Sequence, residues 1–164
     1  MDYGMNYTAI FNLISKNFVK CFVWADEKVK PFAFANYDNK IAVTDGYRMF
    51  FIPARLFPFD LDKLILDGNS FAADKVIPNK DALVPATLTK EMRVVKKGVA
   101  RKIESEAGAA WFDVKLLDST FGDLEKLKYF LVAKRPEISP VVIYDEDELI
   151  GLVLPLRMNN EEEK

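Results

Sequence analysis

The segment 31–54 alternates large apolar side chains with small or polar ones, and the breaks in the alternation are very short. A period of two is typical of β-strands. Asp38-Asn39 and Asp45-Gly46 interrupt the pattern with residue types that favour tight hairpin turns. The segment therefore predicts an antiparallel meander, and the preceding "CFVWA", from Cys21, predicts one more short strand. We therefore expect most of the chain between Cys21 and residue 54 to form a sheet.

Two helices are predicted outside the meander. Residues 7–20 carry apolar side chains at helical spacing, with polar ones opposite. The second helix, 120–134, precedes Pro136 and has its apolar stripe at Phe121, Leu124, Leu127 and Leu131.

Further strands are predicted late in the chain, because 99–117 alternates as a hairpin and 140–158 as two strands around an acidic turn. Prolines and glycines between 55 and 98 interrupt every regular pattern, so the sequence assigns no helix or strand boundary there. This order indicates an α+β chain with mostly antiparallel pairing. With 164 residues, half of them hydrophobic, we expect one domain over 1–158 that contains a poorly placed middle segment, 55–118. The acidic tail 159–164 is expected to be disordered.

Composition narrows the kinds of catalytic and metal-binding site that the chain could form. The chain has no histidine, one cysteine and a formal net charge of −2. Without histidine the commonest general base, metal ligand and nucleophile activator are missing, and no glycine-rich phosphate loop is present. The acidic run from Asp145 to Glu148 is read as a solvated turn rather than a cation site. We therefore expect no enzyme activity, no metal and no cofactor.

The sequence shows no signal for export or membrane insertion, and this predicts a cytoplasmic protein. The first residues lack a basic region followed by an apolar stretch. No window approaches the roughly 20 apolar residues of a membrane span. One cysteine allows no internal disulfide, which suits a reducing compartment. A soluble cytoplasmic protein with no membrane contact is the expectation.

Two distant segments resemble one family. "KIAVTDGYRMFFIPA", residues 40–54, is similar to a strand-turn-strand of the bacterial DNA sliding clamp, the β subunit of the replicative polymerase. "LIGLVLPLRM", residues 149–158, resembles the ending of that protein. The likeness covers about 7–54 and 119–158 and suggests a single-domain relative. It implies a processivity-factor fold with two helices packed on mostly antiparallel sheets, and several copies would be needed to close a ring.

The resemblance implies a hydrophobic pocket that binds short peptides of DNA polymerases or repair proteins. Methionine and leucine walls suit such a pocket, and two arginines offer donors to peptide carbonyls or carboxylates. The pocket residues carried over from the family are Thr44, Gly46, Tyr47, Arg48, Met49, Val153, Leu154, Pro155, Leu156, Arg157 and Met158.

The resemblance also implies non-specific contact with double-stranded DNA through basic helix faces, which would weaken as salt rises. The cations concerned are Lys16, Lys20, Lys126, Lys134 and Arg135.

The chain departs from the family at two places. Tyr47 stands where the family has histidine, and six residues follow Met158, where the family chain ends. Three functions stay open: a clamp-like, non-catalytic accessory of DNA replication or repair that oligomerises around DNA; a monomeric protein-binding regulator, derived from a phage or mobile element, that does not bind DNA; and an enzyme with an unrecognised carboxylate site. We expect the first.

Overall fold

The computed structural model describes residues 5–23, 33–60, 72–96, 98–118 and 121–158, with the side chains of the first helix described only to residue 16. The chain forms two compact units. One comprises Tyr7–Ile77, and the other comprises Met1–Asn6 with Pro78–Lys164. Each unit is described by itself below. The expectations of a single domain and of a disordered tail stay predictions, and the tail 159–164 lies outside the described residues.

The unit Tyr7–Ile77 begins with helix α1, Tyr7–Val23. The predicted helix 7–20 is confirmed, and Ile10 and Ile14 on its apolar stripe are buried. The strand predicted at "CFVWA" is wrong for Cys21–Val23, which continue the helix, and its last two residues lie outside the described ranges. Propensity for a strand does not stop a helix that is already propagating, because each added residue gains a hydrogen bond.

The meander follows the helix as the sequence predicts. Strands β1, Ala33–Tyr37, β2, Lys40–Thr44, and β3, Arg48–Pro53, pair antiparallel. The turn residues Asp38 and Asn39 both have positive φ, as a tight turn of primed type requires.

Aromatic rings join α1 to the meander. Phe11 meets Phe59 edge to face, Phe59 meets Phe57, and Phe57 meets Phe34 of β1. The connection after β3 begins with a 3-10 turn, Ala54–Leu56, and a short helix α2, Ala73–Val76, ends the unit. These ring contacts hold Phe57 and Phe59 of the connection against both the helix and the sheet.

The other unit is built from six antiparallel strands in the order β9-β8-β7-β4-β5-β6. Their bounds are β4 Leu83–Val95, β5 Gly98–Ser105, β6 Gly108–Asp113, β7 Lys128–Val132, β8 Val141–Asp145 and β9 Glu148–Val153. Helix α3, Val114–Asp118, follows β6. Two 3-10 turns, Lys80–Ala82 and Leu124–Lys126, precede β4 and β7. The predicted hairpin at 99–117 is confirmed as β5-β6 up to Asp113, but it is wrong for Val114–Leu117, which lie in helix α3. The predicted strand pair at 140–158 is confirmed as β8-β9 up to Val153.

The fold class predicted from the sequence is wrong. Instead of an α+β, sliding-clamp-like domain with two helices on sheets, the described residues form a β-rich fold of nine antiparallel strands with one helix longer than five residues. The predicted helix 120–134 is absent: a 3-10 turn and strand β7 occupy most of its length. Leu127, Tyr129 and Leu131 are all buried. Their period of two is the strand signal, and it coexists with helical spacing of Leu124, Leu127 and Leu131 in the same segment.

The six-stranded sheet curves strongly. If it were flat, β9 and β6 would lie about 24 Å apart, five strand spacings of about 4.8 Å. Yet Leu156, three residues after Val153 at the end of β9, forms an antiparallel bridge with Trp111 of β6. Three residues reach at most about 11 Å. The sheet must therefore bend until the chain leaving β9 reaches the far strand, and the bulge in β4 between Leu88 and Met92 increases such bending.

Candidate functional site

The turn between β2 and β3 is held by its own side chains. The Thr44 hydroxyl donates to the Arg48 carbonyl at 2.7 Å and accepts from the Gly46 amide at 3.0 Å. Oδ1 of Asp45 accepts from the amides of Tyr47 and Arg48, at 2.9 and 3.0 Å. Gly46 has φ +94, which favours glycine. The Thr-Asp-Gly sequence therefore fixes this turn locally.

Arg48 is committed to the same turn. Its Nε donates to Oδ2 of Asp45 at 3.0 Å, and its guanidinium lies 5.3 Å from the ring centre of Phe50. The residue is only 8% exposed. Met49 is buried in the core, whereas Tyr47 is exposed. Among the turn residues expected in a peptide pocket, Tyr47 is thus the large side chain displayed to solvent, and Arg48 and Met49 stabilise the turn and the core.

The chain after β9 lies along the edge of β6. Val153, the last residue of β9, is fully buried. The amide of Leu156 donates to the carbonyl of Trp111 at 2.7 Å, which forms the isolated bridge. Residues that face each other across an antiparallel bridge point to the same side of the sheet. The Leu156 and Trp111 side chains therefore lie side by side.

Leu154 and Met158 stand two residues before and two residues after Leu156, and neither belongs to a strand. Leu154 is 43% exposed, while Leu156 and Met158 are half-buried. Three of the predicted pocket residues therefore keep apolar side chains partly exposed in one short segment at the edge of β6.

Arg93 completes this surface. Its guanidinium lies 4.7 Å from the ring centre of Trp111, within the range of a cation–π contact. The register explains the reach: Arg93 pairs with Ala100, whose small side chain lets the arginine cross β5 towards β6. We call the set Leu154, Leu156, Met158, Trp111 and Arg93 the tail surface.

Sequence reasoning missed two members of the tail surface. Neither Trp111 nor Arg93 is among the site residues predicted from the sequence. The residues flanking Trp111, Ala110 and Phe112, are buried, and on a strand this places Trp111 on the opposite face. The signal was therefore present in the alternation. The contact with Arg93 depends on the register of β4 against β5, which a bulge shifts and the sequence does not reveal.

The predicted pocket draws on both units. The turn Thr44–Met49 belongs to Tyr7–Ile77, and the tail Val153–Met158 belongs to the other unit. Joining them into one pocket stays a prediction.

The cations predicted to contact DNA are dispersed. Lys16 is exposed on α1, and the side chain of Lys20 lies outside the described residues. Lys126 lies in a 3-10 turn rather than on a helix face, and its Nζ is 3.9 Å from Oδ2 of Asp123. Lys134 and Arg135 are exposed in the turn after β7, where Arg135 Nε lies 4.0 Å from Glu137. The basic helix face at 126–135 is absent because the helix is absent. DNA contact by these residues stays a prediction.

Comparison with protein-family models, with curated proteins and with solved structures gave no match to this chain. Within the described ranges, no helix is both long and apolar enough to cross a membrane.

Proposed function

We propose that this chain is a non-catalytic accessory that binds short apolar segments of partner proteins on the tail surface. The observation that supports this most directly is the segment Leu154–Met158, which is bridged to Trp111 at Leu156 and leaves apolar side chains partly in water. Surfaces of this kind are more often contact sites than random exposure.

The residue types suit a contact site for peptides. Tryptophan and arginine are the types that contribute most binding energy at protein interfaces. Met158 adapts to ligands of different shape because its side chain is unbranched. Arg93 over Trp111 brings a positive charge to an apolar surface, which favours a segment with an acidic residue near its leucine or phenylalanine.

The biological setting is part of the proposal and rests on the sequence resemblance at 40–54 and 149–158. It is a cytoplasmic role in DNA replication or repair, with polymerases or repair proteins as partners, and with copies of this chain assembling on double-stranded DNA. A mass measurement in solution separates this setting from the monomeric regulator. A monomer at high concentration that does not bind DNA at low salt would favour the regulator.

The tail surface is tested with a fluorescent peptide rich in glutamine, leucine and phenylalanine. We expect Leu154→Asp to weaken its binding at least tenfold, because the carboxylate would be desolvated against the apolar segment. Ile138→Asp is the matched control, since Ile138 is 39% exposed in the same unit, and it should bind like the parent. Equal binding by both variants would remove the tail surface as the site.

A further inference from the structure

The core face of the six-stranded unit continues along β4 and β5 to the end of their hairpin. Ile103 and Arg101 on β5 are buried, and Phe112, which pairs with Arg101, is buried as well. Because side chains alternate along a strand, Val99 lies on the same face as Arg101 and Ile103. Val94 pairs with Val99 across the hairpin and therefore shares that face. The face that forms the core thus carries two valines at the end of the hairpin.

At the end of the hairpin this face is exposed to solvent. Val94 is 82% exposed, Met92 55% and Val99 37%. Met92 precedes Val94 by two residues on β4, so the three side chains lie on one face. We call Met92, Val94 and Val99 the hairpin cluster. Single exposed apolar side chains are ordinary, whereas a cross-strand pair with a methionine beside it is a contiguous apolar patch.

Side chains fix the base of the hairpin. The hydroxyl of Thr89, in the bulge of β4, donates to the Lys102 carbonyl at 2.8 Å. The buried Arg101 donates from Nε to the Thr89 carbonyl at 2.6 Å and from a terminal nitrogen to Glu125 at 2.9 Å. The hairpin cluster therefore follows directly on an ordered part of the sheet.

Positive charge lies next to the hairpin cluster. Lys96 and Lys97 connect β4 to β5 in the sequence, and Lys96 is exposed. Residues 92–100 include no acid, although the whole chain has a formal net charge of −2. Glu91, the acid just before this stretch, lies 3.4 Å from Lys102. The positive charge is therefore local and favours an anionic surface.

The side chains of the hairpin end favour a lipid surface over other anionic partners. Nucleic acids are bound by aromatic rings that stack on bases or by polar side chains that reach base edges. Residues 92–99 include no aromatic residue and no amide or hydroxyl side chain, and Arg93 lies over Trp111. Aliphatic side chains instead enter the boundary of a bilayer, and lysines are attracted to anionic headgroups.

We propose that the end of the β4-β5 hairpin binds the surface of bilayers that contain anionic phospholipids. The hairpin cluster would enter the boundary between headgroups and acyl chains, and Lys96 would meet the headgroup phosphates. The expectation of no membrane contact rested on the absence of a signal and of a membrane span, and surface contact requires neither. This inference goes beyond the proposed function, because it concerns the hairpin end and not the tail surface.

The test is cosedimentation of the full chain with vesicles of equal parts phosphatidylcholine and phosphatidylserine. We expect saturable binding, at least tenfold tighter than to phosphatidylcholine alone. Val94→Asp should weaken it at least tenfold, because a carboxylate would have to enter the interface. Ile138→Asp is the matched control, since Ile138 is 39% exposed in the same unit, and it should bind like the parent. Circular dichroism confirms that each variant is folded.

The lysine has a matched control at the other end of the same strand. Lys96→Glu should weaken binding at least fivefold. Lys80→Glu makes the same change of charge in the exposed turn before β4 and should change binding less than twofold. Leu154→Asp should also leave vesicle binding unchanged, so failure of this inference and failure of the tail surface are told apart.

Fluorescence quenching tests insertion of the hairpin cluster directly. Val94→Trp adds a fluorophore at the hairpin end, and lipids brominated on their acyl chains should quench the added emission. The emission that Ile138→Trp adds should not be quenched.

Several outcomes would overturn the assignment. They are no binding to anionic vesicles, equal losses in Lys96→Glu and Lys80→Glu, full binding by Val94→Asp, displacement of the vesicles by the free headgroup glycerophosphoserine, self-association of the chain that Val94→Asp abolishes, and binding of an oligonucleotide in place of the vesicles.

Discussion

Replacing Asp45 with alanine would remove the acceptor that organises the turn between β2 and β3. Three donors lose their partner: the amides of Tyr47 and Arg48 and the Nε of Arg48. Water can replace the carboxylate at the exposed Tyr47 amide, at a cost of about 0.5 kcal/mol. We assign about 1 kcal/mol to the Arg48 amide and about 1.5 kcal/mol to the buried guanidinium. The expected loss is about 3 kcal/mol in the stability of the meander.

Hydrogen exchange followed by mass spectrometry measures this loss where it occurs. A loss of about 3 kcal/mol corresponds to roughly 100-fold faster exchange in peptides from the meander, residues 33–54. Asp45→Asn keeps an oxygen for the amides but loses the charge that faces Arg48, so its effect should be intermediate.

Asp147→Ala, in the exposed turn between β8 and β9, serves as the control and should stay within about 0.5 kcal/mol of the parent. If exchange in the meander accelerates less than tenfold in Asp45→Ala, the side-chain network does not hold the turn as argued.

Two further predictions concern the six-stranded unit. Burial raises the pKa of Tyr129, whose hydroxyl donates to the Leu124 carbonyl at 2.7 Å, so the native state keeps this proton more tightly than the unfolded state. Stability from this group is present below the ordinary tyrosine pKa of 10.0 and is lost as pH rises above it. Tyr129→Phe should cost about 1 kcal/mol at pH 7 and flatten the alkaline loss in urea unfolding, whereas Tyr47→Phe should change neither. Gly108→Ala should destabilise the unit more than Gly98→Ala, because both have positive φ but only at Gly108 would the new Cβ lie 2.9 Å from Pro136 Cγ. Equal unfolding midpoints for the two alanine variants would show that the contact with Pro136 relaxes without cost.

Local chemistry explains which elements the sequence predicted correctly. The meander is specified by residues close in the chain: alternation sets each strand, and Asp38-Asn39 and Asp45-Gly46 set the turns. Helix α1 is equally local. The helix predicted at 120–134 is wrong because the apolar residues of a 3-10 turn followed by a strand can have helical spacing. Leu124 lies in the turn, Leu127 directly before the strand and Leu131 within it, and all three are buried.

The candidate sites needed information that lies far apart in the chain. Sequence reasoning placed Leu154, Leu156 and Met158 in a binding surface, and the structure brings the segment that carries them to the edge of β6 at Leu156. Their neighbours Trp111 and Arg93 come from β6 and β4, through a curved sheet and a shifted register.

The bridge between Leu156 and Trp111 fixes the length of the connection at the end of the fold. Only Leu154 and Pro155 separate Val153, at the end of β9, from Leu156. Inserting or deleting one residue between Val153 and Leu156 would bring a different side chain opposite Trp111 or strain the connection to β9. Descendants of this chain can therefore vary the chemistry of the tail by substitution more readily than they can vary the length of this connection.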